Sequence, residues 1–133
     1  MINLALLACV LAAGADFGHM PKTAESESEI LDAATKIKGF GEISSSRFDS
    51  SDRRAFVVWW DPFSGVAATY FDAYVWVPDE GRWVNCLHQR IEGLVGSVQW
   101  VRAVAPMFVV RDPTGETILK RNVLANRCPA NAE

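Results

Sequence analysis

Cys86 and His88 are the residues whose types and spacing come closest to a reactive pair. Two positions apart on a strand they would share a face, where an imidazole can activate a thiol as a nucleophile. No third residue is evident to orient that imidazole, and a disulfide between Cys86 and Cys128 would consume the thiol. The other histidine, His19, lies near the start of the chain. A Ser-His-Asp system would need a nucleophile elbow, and Asp61-Pro62-Phe63-Ser64-Gly65 lacks its first glycine. Asp61 and Asp72 are a conceivable carboxylate pair, but turn capping accounts for Asp61 and solvent exposure for Asp72. The two histidines with Cys86 and Cys128 are too widely spaced for a zinc site, and no glycine-rich phosphate loop is present. The expectation is no catalytic residue, no metal site and no cofactor.

A binding surface is better represented. Residues 67–77 and 82–91 alternate as the two arms of a hairpin closed by Pro78-Asp79-Glu80-Gly81. A turn centred on Asp79-Glu80 sets Trp76 opposite Trp83, Tyr74 opposite Asn85, Asp72 opposite Leu87 and Tyr70 opposite Gln89. One face then carries Tyr70, Tyr74, Trp76, Trp83, Asn85 and Gln89. Aromatic area beside directional amides suits a protein, peptide or glycan ligand. Phe71, Ala73, Val75, Val77, Val84 and Cys86 fall on the other face and read as core. The assignment depends on register, because a one-residue bulge swaps every side chain beyond it to the opposite face. The competing explanation is that Trp76 and Trp83 only stabilise the hairpin as a cross-strand pair.

The elements that position these residues are one helix and a series of strands. Ser26-Glu27-Ser28-Glu29 fits a capping box. Ile30, Ala33, Ala34 and Ile37 then follow at helical spacing, and Gly39 is a natural stop. A helix is predicted near residues 26–38. Residues 43–54 are polar and read as a loop, with a short strand at most at their start. Strands are predicted at 55–60, 67–77, 82–91, 97–105, 107–111 and 116–124. Trp59 and Trp60 point to opposite faces of the first of these, and both read as core. The fold class is α+β, an N-terminal helix packed on an antiparallel sheet of about six strands, with a small β-sandwich carrying a helical prefix as the alternative. In element order alone this resembles cystatin-like and other small inhibitor or binding folds, which assigns no function.

Location is read from the first fifteen residues, MINLALLACVLAAGA, which are apolar, uncharged and end in Ala13-Gly14-Ala15. They have the outline of a secretory leader cleaved before Asp16. Two alternatives remain: a lipid anchor at Cys9 within Leu6-Leu7-Ala8-Cys9, or a cytoplasmic protein beginning at Met20. Cleavage leaves Cys86 and Cys128, the even remainder expected of one disulfide in an exported domain. The expected organisation is a leader at 1–15, a flexible lead-in at 16–23, one globular domain at 24–125 and a tail at 126–133. Half of the 133 residues are hydrophobic, enough for a real core, and five are Trp. A net charge of −3 without a basic run argues against nucleic-acid binding. The functional expectation is an exported, non-enzymatic binding or inhibitory module of the cell envelope, periplasmic or secreted, with an unidentified protein, peptide or glycan as partner. The rivals are an enzyme using Cys86 and His88 and an accessory subunit that lends its sheet edge to an assembly.

Overall fold

The structure is a computed structural model that describes residues 19–39, 41–50, 53–63, 67–101 and 106–123. The expected leader, Cys9 and the tail with Cys128 lie outside the described residues.

Helix α1 spans Glu27–Ile37. Its first turn follows the sequence closely. The Oγ of Ser26 accepts the N–H of Glu29 at 3.2 Å. The Glu29 carboxylate accepts the N–H of Glu25 at 2.9 Å, one residue earlier than a standard capping box places it. Gly39, at φ +66°, turns the chain away after the last turn. Ile30 and Ala34 form the buried stripe.

Eight strands accompany the helix: β1 Thr23–Ala24, β2 Ser44–Asp49, β3 Arg54–Trp60, β4 Ala68–Val77, β5 Arg82–Glu92, β6 Ser97–Val101, β7 Met107–Arg111 and β8 Thr117–Asn122. All pair antiparallel. They form a five-stranded sheet in the order β1-β5-β4-β3-β2 and a three-stranded sheet in the order β6-β7-β8. The class is α+β, as expected, but the predicted single sheet is two. The division falls at residues 93–96, which carry the chain from β5 into β6.

The two sheets pack face to face. Phe71, Ala73 and Val75 of the large sheet share a core with Phe108, Val110 and Leu119 of the small one. On its other face the large sheet is covered by α1, where Ile30 and Ala34 meet Phe56, Val58, Trp60, Tyr74 and Trp83. Coverage on both sides explains why β3 is continuously apolar rather than alternating. Trp59 and Trp60 point to opposite layers, as their adjacency requires. The polar stretch read as a loop contains a full six-residue strand, β2. It is an edge strand that buries only Phe48, so serines and charges suit it better than an apolar alternation would.

Candidate functional site

A bulge in β5 sets the geometry of the candidate site. Near the turn the hairpin has the expected register, Trp76 opposite Trp83 and Tyr74 opposite Asn85. The next pair is Ala73 with Leu87, so Cys86 is the extra residue. Beyond it every partner differs from expectation. His88 stands opposite Asp72 and Arg90 opposite Tyr70.

Two expectations are corrected by this shift, and a third by the burial of this face of β4. Gln89 leaves the aromatic face: it pairs with Phe71, and its Oε1 accepts from Arg121 on β8 at 3.2 Å. Cys86 and His88 do not share a face. Cys86 packs against the core between the sheets, while His88 turns to the helix side and meets Asp72. Asp72 is not solvent-exposed but fully buried.

The aromatic set is also redistributed. Tyr74 and Trp83 are 0% and 2% exposed, part of the core beneath α1 rather than a wet surface. The sequence reading took the aliphatic face as sufficient core, but this sheet buries both faces. Trp76 is half-buried and meets Trp83 edge-on, with ring centroids 5.5 Å apart. The Arg54 guanidinium lies over both rings at 5.0 and 5.1 Å, an arrangement that stabilises the hairpin. Tyr70 is half-buried against Trp60.

What the bulge assembles instead is a polar cluster within an aromatic layer. Asp72 Oδ1 accepts from Asn85 Nδ2 at 3.0 Å and lies 2.8 Å from His88 Nδ1. Asp72 Oδ2 is buried and has no hydrogen-bond partner among the described residues. Burial raises the Asp72 pKa, and the Asn85 hydrogen bond and the nearby His88 oppose only part of that rise. The Tyr74 hydroxyl donates to the carbonyl of Pro21 at 2.7 Å, and burial pushes its pKa up as well.

That last bond ties residues 19–22, the described start of the expected lead-in at 16–23, to the sheet, where they help to wall the site. His19, Met20, Lys22 and Thr23 face Val84, Asn85 and His88 across an open cleft of about 480 Å³. The rings of His19 and His88 are 6.4 Å apart. A carboxylate on Nδ1 favours the tautomer protonated there and leaves Nε2 of His88 to accept. His88 keeps 42% of its side chain exposed above a fully buried Asp72. A buried carboxylate is costly where an apolar side chain would pack, and such groups beside a titratable partner in a cleft mark functional sites.

No family model, no curated protein and no solved structure matches this chain. Function is therefore argued from these residues alone. Among the described residues, no group of three or more His, Cys, Asp or Glu could hold a metal ion, and no helix is long and apolar enough to cross a membrane. Asp72 was the residue sequence reasoning passed over. Its signal was a lone carboxylate between Phe71 and Ala73, inside an otherwise apolar and aromatic run.

Proposed function

We propose that this protein is an exported, non-enzymatic binding module of the cell envelope that holds an extended peptide segment of a partner beside β5. The observation that carries the proposal is the unequal length of two neighbours. β5 has eleven residues, but β1 pairs only with its Trp83 and Val84. Among the described residues, Leu87–Glu92 therefore have no strand on their outer side. The bulge turns His88, seated on buried Asp72, along that same stretch. An added strand would gain main-chain hydrogen bonds from the edge, and the His88 cleft would receive one of its side chains. A Cys86/His88 nucleophile lacks a geometric basis, since the two residues serve opposite layers.

Export rests on the leader, with cleavage after Ala15, and on a Cys86–Cys128 bridge in the mature protein. That bridge would close a loop of about 40 residues and add roughly 3–4 kcal/mol by the chain-entropy estimate. Intact mass of protein from a periplasmic or secreted fraction checks both; a chain beginning at Met1 or Met20 would exclude cleavage.

The binding proposal is tested with an array of extended peptides probed with the purified protein. Bound peptides should lose affinity when alternate residues are N-methylated, in one phase only, because a strand presents N–H groups to its neighbour at every second residue. His88→Ala should weaken the same peptides about tenfold. Binding that ignores N-methylation, or no binding at all, overturns the proposal.

A further inference from the structure

β8 is an outer strand of the small sheet, and beyond its short pairing with β1, β5 is an outer strand of the large one. The two edges lie on the same side of the sandwich, because Arg121 of β8 reaches Gln89 of β5 and its Nη2 donates to the Gln89 Oε1 at 3.2 Å. At the opposite side β6 is joined to β2 by the bond from Trp100 to Ser46.

Arg121 stands on the inner face of β8. Its partner across the small sheet is the core residue Phe108, and its side chain is half-buried. A charge drawn out of water there needs strong acceptors. Those it has are neutral. Besides Gln89 it donates to the Lys120 carbonyl at 3.0 Å. Arg47, Arg54, Arg82 and Arg90 each pair with a carboxylate, but among the described residues none pairs with Arg121. Burial accordingly lowers the Arg121 pKa.

Gln89 lies within the stretch of β5 that has no outer neighbour among the described residues. Directly paired residues of adjacent strands point to the same face. A segment added beside β5 would send the side chain paired with Gln89 toward the small sheet, and those paired with His88 and Arg90 toward α1. The first of these would stand one strand spacing, about 4.8 Å, outside Gln89. From there a side chain of ordinary length reaches the guanidinium that Gln89 already touches.

We propose that Arg121 receives the carboxylate of an Asp or Glu in that segment, one residue along from the side chain that enters the His88 cleft. The proposal rests on the edge reading above and gives the partner its chemistry, an acidic strand. A carboxylate offers a guanidinium two charged acceptors in a matching plane. A cationic side chain would be repelled, and an amide would only repeat what Gln89 supplies. An aliphatic one would bury the charge further and leave it without a counter-ion.

The test uses three synthetic peptides of alternating Thr and Val, identical except for one central residue that is Glu, Gln or Lys. Their affinities are measured by fluorescence polarisation. Wild type should bind the Glu peptide about tenfold tighter than the Gln peptide, with the Lys peptide weakest. Arg121→Gln should bring the Glu and Gln peptides to equal affinity, and Arg121→Lys, which keeps the charge, should retain part of the preference. N-methylation of alternate residues tests the edge separately. If it abolishes binding but wild type does not prefer Glu, or the preference survives in Arg121→Gln, this inference is overturned and the edge reading stands. If none of the peptides binds, or binding ignores N-methylation, the edge reading falls and takes this inference with it.

Discussion

A carboxylate without exposed surface is costly unless donors reach both its oxygens. Asp72 has donors on Oδ1 alone among the described residues, and burial lifts its pKa above the ordinary 3.8. Between 3.8 and the raised folded value, the native state binds more protons at this group than the unfolded chain. The stability this group contributes is complete below the unfolded pKa and is lost as pH rises through the folded one. Asp72→Asn is free of that loss. Urea unfolding at several pH values should show the variant gaining on wild type as pH rises from about 4 to 7, while its peptide binding falls. Parallel pH profiles would show that Asp72 carries no buried-charge cost. Trp83 belongs to the same scale with the opposite role. At 2% exposed it is core, so Trp83→Ala should cost roughly 3–5 kcal/mol in denaturant unfolding. A small loss would return it to the binding surface first expected.

Elements differ in how openly the sequence declares them. Helix α1 carries its own start, stripe and stop in Ser26, Ile30, Ala34 and Gly39, so it was legible. Ile30→Ala should cost about 2–5 kcal/mol by opening a cavity under the helix, and Ser26→Ala about 1 kcal/mol by freeing the Glu29 N–H. The bulge in β5 declares nothing. Asn85-Cys86-Leu87 contains no glycine or turn signal, and the extra residue exists only relative to the strand beside it. Polar β2 was hidden for a related reason, since an edge strand buries one side chain and needs no alternation. The connection after α1 is constrained by contact. Gly41→Ala must push the Asp61 backbone away, at about 1–3 kcal/mol on the scale of overpacking. An unchanged midpoint would mean that the loop relaxes freely.

At the scale of the molecule, the two sheets depend on each other. Phe71 and Phe108 meet across the interface at 5.6 Å, and Trp100 packs on both Phe108 and Phe48. The Trp100 indole also donates to Ser46 on β2 at 2.8 Å. A sheet with one apolar face must bury that face against another layer, and here each sheet is that layer for the other. Tryptophan fluorescence and far-UV circular dichroism should therefore report one coincident unfolding transition. Phe108→Ala should lower it by about 3–5 kcal/mol without splitting it; two separate transitions would show that the sheets fold independently.

The sequence by itself determined the class, one capped helix followed by antiparallel strands, because those signals are local: periodicity, caps and turn residues act within a few positions. It also determined the register of the hairpin up to Asn85, since the turn sets pairing outward from itself. Only the tertiary structure decided which face of that hairpin was wet. Burial depends on what packs from afar, and here α1 and the small sheet cover both sides. It also decided that Asp72 meets His88, because one inserted residue reverses every side chain after it, and that His19 and Lys22 return to wall the same cleft.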